Sequence, residues 1–270
     1  MISLPSNTVH TVLDMNTHIT QLVNERDMPV TQTFSLSLDQ SGTPGEIRIQ
    51  LLLPKQLSET DSDQLAVVVM MAETPGEQQV DHRWGCGLEC FLASNSQVGV
   101  AKVDVRGAAG QGTSWQQSVR GRLGVMETQD MEQVVRFLAG LKHIDQSKIA
   151  VFGQGYGGFL ALNVLLSNQP VLSTVKCGLT VAPITNWMYS TTFTTERLLG
   201  LPGMQDNWLD YERTSLVGGE DLTCLRNKQV KMVHGVADRR VLLENTMMLS
   251  KRMVEQNILF EQQVYLLLVQ

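Results

Sequence analysis

The stretch IAVFGQGYGGFLAL, residues 149–162, decides the fold. An apolar run enters the turn Gly153-Gln154-Gly155-Tyr156-Gly157-Gly158, and Phe159 to Leu166 continues with a helix-like composition. Strand, tight turn and helix follow one another with no linker, which is the unit of a parallel sheet covered by helices. The same alternation extends on both sides. Upstream, Thr31–Leu38 alternates as a half-buried strand with Phe34, Leu36 and Leu38 on one face, and SGTPG turns it into a second strand, Ile47–Leu53. The loop SETDSD leads to LAVVVMMA, residues 65–72, apolar throughout as in a strand buried on both faces. Val98–Val105 is a further strand feeding the loop RGAAGQG, and Gly124–Ile144 carries a helix signal in Met131, Val134, Val135, Leu138 and Leu141. Glu127 and Asp130 early in that helix, with Lys142 and His143 late, match the helix dipole.

Downstream come the strand CGLTVAP, a long irregular stretch, and the strand VKMVHG. A helix from Val241 to Gln256 follows, with Leu242, Thr246, Leu249 and Met253 on one face, and then a final strand, QVYLLLV. Residues 1–30 are polar and irregular apart from a β-like stretch at Val9–Leu13. The fold class is therefore α/β, a mostly parallel sheet with helices on both faces. Such folds place function at the carboxyl ends of the strands, here the loops RGAAGQG, GQGYGG, VAPITNW and HGVADRR.

Composition narrows the function. The 270 residues are 43% hydrophobic, with 27 acidic against 21 basic side chains and a formal charge of −6. No basic block speaks for nucleic acid. The longest apolar run, Leu65–Ala72, is far short of the ~18–20 residues of a membrane helix, and MISLPSNTVH lacks the pattern of a secretory signal. The four cysteines are too few for a disulfide scaffold, and Cys86 and Cys90 lack the second Cys or His pair that a zinc site needs. No metal and no cofactor is expected.

The Gly153–Gly158 turn admits two catalytic readings and a structural one. Gly153-x-Gly155-x-x-Gly158 matches a dinucleotide fingerprint. However, no Asp or Glu occurs between Asp145 and Glu196 to hold a ribose hydroxyl. The same geometry is the G-x-S-x-G nucleophile elbow of α/β-hydrolases, with Gly155 in the nucleophile's place. The structural reading is that the turn needs glycines for backbone angles and close helix packing.

The runs GQGYGGF, VKCGLTVAPITNWMY, TTERLLGLP and VHGVADRRV, in that order, resemble the C-terminal hydrolase domain of the dipeptidyl-peptidase branch of the prolyl oligopeptidase family. They are most similar to its catalytically inactive members, which accompany A-type voltage-gated potassium channels. The resemblance implies an α/β-hydrolase fold, with residues 31–270 as a domain lacking the final histidine loop and helix. Residues 1–30 resemble the last propeller segment and linker. RGAAGQG resembles the family's D-G-R-G-S-G-x-Q-G loop, with Val105 in the Asp position.

Carried over by resemblance, the nucleophile falls on Gly155, the triad acid on Asp238, and an oxyanion tyrosine on Ile49. Gly153, Gln154, Tyr156, Gly157 and Gly158 complete the elbow, and Tyr156 retains a backbone N–H for an oxyanion hole. In the substrate pocket Trp187 is kept, while Ser190 and Thr194 stand for tyrosines and Arg240 for an asparagine. Asp238 is as readily a helix N-cap. His234 belongs to the HG pair and reads as a packed histidine. The triad histidine is expected to be absent after VYLLLVQ. Cys177 resembles a half-cystine whose partner lies in the missing segment, which implies a free thiol; that segment's absence is also expected to leave an apolar sheet face uncovered.

The resulting expectation is a pseudoenzyme with an interaction role, by resemblance a modulatory subunit of a potassium channel complex at the extracellular side of the plasma membrane. The family's dimers lean on the helix and propeller not seen in this sequence, which makes dimerisation doubtful. Two alternatives stand beside it. One is an active serine-type peptidase with displaced machinery, for which Ser114, Ser118 and Ser190 are the nearest candidates. The other is a truncated product without independent function.

Overall fold

The computed structural model describes residues 14–38, 45–55, 64–203, 207–218 and 221–266, with the backbone of two short strands at 2–3 and 8–9. Those two, β1 (Ile2–Ser3) and β2 (Thr8–Val9), pair antiparallel. Most of the SGTPG turn, all of SETDSD, residues 10–13 of the β-like stretch and the last four residues of VYLLLVQ lie outside the described residues. Residues 17–24 are not irregular as expected but form α1 (Thr17–Asn24), none of whose side chains is buried.

The rest builds one eight-stranded sheet. In chain order its strands are β3 (Val30–Ser37), β4 (Glu46–Leu53), β5 (Leu65–Met70), β6 (Gly99–Asp104), β7 (Ile144–Gln154), β8 (Cys177–Val181), β9 (Gln229–Gly235) and β10 (Glu261–Tyr265). The spatial order is β10-β9-β8-β7-β5-β6-β4-β3, and only the pairings β3–β4 and β4–β6 are antiparallel. The other five are parallel. Each expected strand is present. Apolar alternation decides their faces: Val67, Val69 and Met71 of the β5 region enter the main core, while Met70 turns to a smaller cluster on the other side.

The covering helices follow the crossovers of parallel strands. On the main-core face lie α4 (Val125–Ala139), α5 (Tyr156–Leu166) and α8 (Glu244–Glu255). The opposite face carries α2 (Leu88–Asn95), which the sequence reading missed, packed through Cys90 and Ala93 on Leu52, Met70 and Val100. Beyond α2, the side chains of Phe152, Leu179, Val181 and Val233 on that face are half-buried. The stretch read as irregular contains α6 (Thr192–Leu199) and α7 (Asn207–Arg213), and α3 (Thr113–Gln117) closes the RGAAGQG loop. Their turns are too short to show a period.

One other expectation changes. α4 ends at Ala139, so Lys142 and His143 lie past it. Glu127 and Asp130 do stand early in the helix, and both are almost completely buried. They stand on the same stripe as Met131, Val134 and Leu138, which is why they are buried.

Candidate functional site

β7 and β9 deliver Gly155 and the loop holding Asp238 to the carboxyl edge of the sheet. Gly155 has φ +54° and ψ −113°, a conformation in which a side chain is strained. A Cβ there would lie 3.2 Å from the Glu73 carbonyl oxygen. The main chain pins this turn: Gly155 N–H donates to Val181 O at 2.9 Å, and its carbonyl accepts from Phe159 and Ile184 N–H, both at 3.1 Å. Gly153 is required for a different reason, since a Cβ would fall 2.1 Å from the backbone of Gly157. Gln154 is the half-buried last residue of β7, and Gly157 and Gly158 press on the backbone of Ala72 and Pro183.

Tyr156 opens α5 and is held by two hydrogen bonds and by ring packing. Its backbone N–H, which follows the nucleophile position and serves as an oxyanion donor in elbows of this kind, donates to Glu73 O at 3.0 Å. Its hydroxyl donates to Glu127 Oε1 at 2.6 Å inside the core. Its ring meets the edge of Trp187 at 6.1 Å. Burial pushes the Glu127 carboxyl up to about 7, against the opposing pull of the Tyr156 hydrogen bond, and Oε2 has no partner among the described residues. Burial, reinforced by the Glu127 charge, holds the Tyr156 phenol well above its ordinary value.

Asp238 is present but does not cap a helix. Its Oδ1 accepts from Arg240 N at 2.8 Å and Val241 N at 3.0 Å, closing the turn after β9, whereas α8 starts only at Glu244. The nearer amides capture the carboxylate first. Its Oδ2 is buried without a hydrogen-bond partner among the described residues and lies 3.9 Å from His234 Nε2. His234 is the packed histidine expected. Nε2 faces Val241 O at 2.9 Å and so carries the hydrogen, leaving Nδ1 to accept from the Thr246 hydroxyl at 2.7 Å.

Ile49 is not beside Gly155. It is fully buried in mid-β4, paired with Val103 and Phe34. β4 is separated from β7 by β6 and β5, roughly 14 Å at ordinary strand spacing. The segment that covers the turn is instead Met71 to Thr74 after β5. Glu73 is the residue sequence reasoning missed. Beyond its carbonyl on Tyr156, its carboxylate accepts from Arg240 Nη1 at 3.1 Å, and Glu77 Oε2 accepts from the Glu73 and Thr74 amides. The Glu73–Arg240 pair is largely exposed and adds little stability.

Trp187 is fully buried in a short 3-10 helix (Trp187–Tyr189), edge-on to Phe159 at 5.4 Å. Ser190 follows it, half-buried. Thr194 accepts from the Thr191 hydroxyl at 3.1 Å and lines a cleft of about 320 Å³ with Thr74, Arg120, Phe193 and Arg197. Ser114 is exposed, and Ser118 donates to Trp115 O at 2.7 Å. Among the described residues none of Ser114, Ser118 and Ser190 is hydrogen-bonded to a histidine. No group of three His, Cys, Asp or Glu side chains that could hold a metal occurs among them, and no described helix is long and apolar enough to cross a membrane.

A buried charge pair anchors the RGAAGQG loop. Arg106 Nη2 lies 2.6 Å from Asp130 Oδ1, Nε donates to the same carboxylate, and Arg106 N–H donates to Oδ2 at 2.8 Å. Burial pushes Asp130 up, and Arg106 opposes it. The signal for both Glu127 and Asp130 was their position on the apolar stripe of α4.

Comparison with known proteins agrees with this geometry. The sequence profile of the prolyl oligopeptidase family matches residues 84–266. The chain is 30% identical to venom dipeptidyl peptidase 4 of Apis mellifera over 94% of its own length and 32% of that protein's. It is 29% identical to inactive dipeptidyl peptidase 10 of Mus musculus over 94% of its length and 30% of that protein's. It thus spans about a third of these relatives. The crystal structure of Porphyromonas gingivalis dipeptidyl peptidase 4 superposes with a TM-score of 0.83 at 24% identity, covering 99% of this chain and 36% of that one. A parallel sheet with a glycine elbow at its carboxyl edge has the α/β-hydrolase fold, and with the profile match the chain belongs to the prolyl oligopeptidase family.

Proposed function

We propose that this chain is a non-catalytic homologue of a dipeptidyl peptidase that acts through protein contacts. The observation that carries this reading is the turn itself: Gly155 offers no nucleophile, and the adjacent Tyr156 N–H is satisfied by Glu73 O. A covalent mechanism needs an attacking side chain with a base in reach. His234, the histidine nearest Asp238 in the described structure, is committed to Thr246 and Val241. The fold is kept while these groups are missing or engaged, which suits a binding surface.

The partner class rests on the resemblance to inactive members of the branch. It is an A-type voltage-gated potassium channel complex, met from the extracellular side of the plasma membrane. Co-expression with such a channel is expected to bring the chain down with the channel and to alter its current kinetics; the absence of both effects would exclude that partner. The opposing reading, a serine-type peptidase, is favoured by relatives named as dipeptidyl peptidases. Dipeptidyl-proline chromogenic substrates separate the two, with turnover expected at the level of the blank and no labelling by a fluorophosphonate. Inhibitor-sensitive cleavage would overturn the proposal. Gly155→Ser is expected to recover nothing, because members of such a constellation act as a unit.

A further inference from the structure

The region around α2 takes no part in the turn chemistry, yet it holds the two cysteines that a metal reading leaves unexplained. Cys86 is exposed two residues before the helix starts, and Cys90 is 6% exposed in its first turn, packed on Leu52, Met70 and Val100. The Cys90 thiol donates to Gly85 O at 3.4 Å, which sets it against the backbone of the residue preceding Cys86. Gly85 and Gly87 flank Cys86, and a Cβ on Gly85 would meet nothing within 4 Å, so space is open beside Cys86. No third ligand joins them among the described residues, which leaves sulfur–sulfur chemistry.

We propose that Cys86 and Cys90 are a redox modification site that closes to an intramolecular disulfide. The oxidant class is a low-molecular-weight disulfide such as oxidised glutathione. Cys86, as its thiolate, attacks one sulfur of that disulfide, forming a mixed disulfide and expelling one glutathione thiolate. Cys90 then loses its proton and attacks Cys86 Sγ, expelling the second. The protein loses two electrons and two protons, and one glutathione disulfide becomes two thiols. Exposure assigns the first step to Cys86. Burial, assisted by the Cys86 thiol, pushes Cys90 up to about 11, so in the reduced chain Cys90 remains a thiol and serves only to resolve the bond. The product ties the segment ahead of α2 to its first turn, fixing the loop that carries the exposed Trp84.

The sequence makes the test clean, because trypsin releases residues 84–102 with both cysteines and no other. The full folded chain is equilibrated with reduced and oxidised glutathione, quenched by alkylation and digested. The expected result is that this peptide loses both alkylation sites together, as an internal disulfide whose fraction follows the glutathione ratio. The same bond is expected to need several-fold more oxidised glutathione in urea, where the contact is lost. Cys90→Ser is expected to trap glutathione on Cys86, and Cys86→Ser to leave Cys90 unmodified. The proposal is overturned if the wild-type peptide keeps two alkylated cysteines while Cys177 is glutathionylated. It is also overturned if wild type holds glutathione on Cys86 as persistently as Cys90→Ser, or if folded and unfolded chains oxidise alike.

Discussion

Glu127 is a carboxyl group buried in the core, and its protonation ties stability to pH. Its folded value of about 7 lies above the ordinary 4.5, so between those limits the folded chain keeps a proton that the unfolded chain releases. Stability is therefore greatest below about pH 4.5, falls as pH rises toward 7, and levels off above it, a loss of about 3 kcal/mol from this group. Burial raises Asp104 and Asp130 as well, with the same sign. Glu127→Gln, which preserves an acceptor for Tyr156, is expected to flatten most of the slope between pH 5 and 8 in urea unfolding midpoints. An unchanged slope would remove Glu127 from this role. Gly155→Ser acts at the same scale: the strained angle and the 3.2 Å approach to Glu73 O are expected to destabilise the chain by about 1–3 kcal/mol, read by the same unfolding measurement. Gly155 was legible in the sequence because its motif spacing places it. Glu73 was not, because a main-chain carbonyl on a loop leaves no residue-type signature.

The strands were legible, since LAVVVMMA and its neighbours are apolar enough to be buried in a sheet. The elements between β8 and β9 were not, because helices as short as α6 and α7 have too few turns to show a period. The misplacement of Ile49 has a related cause, as a motif match fixes a strand but not which strand lies beside the turn. At this scale the loop from β6 to α3 depends on the buried pair Arg106–Asp130. Arg106→Ala strands a carboxylate in the core and is expected to cost about 3–5 kcal/mol, while Arg240→Ala, at the exposed pair, is expected to stay within about 1 kcal/mol. Thermal unfolding of both variants checks the contrast. Equal shifts would show that burial does not separate the two pairs.

Across the whole molecule, helices cover the main-core face of the sheet, whereas Phe152, Leu179, Val181 and Val233 stay half-buried on the other. An apolar patch of this kind invites association. The native chain is expected to enhance the fluorescence of a hydrophobic dye, and Val233→Lys to reduce it without shifting the unfolding midpoint by more than a few degrees. A dye signal that Val233→Lys leaves untouched would place the patch elsewhere. The Glu73 carbonyl on Tyr156 N–H reaches further than its single hydrogen bond. A serine placed at position 155 meets that carbonyl, and freeing the donor leaves a peptide oxygen to find a new partner. A hydroxyl at this position and a free amide beside it would thus each be gained against the folding equilibrium.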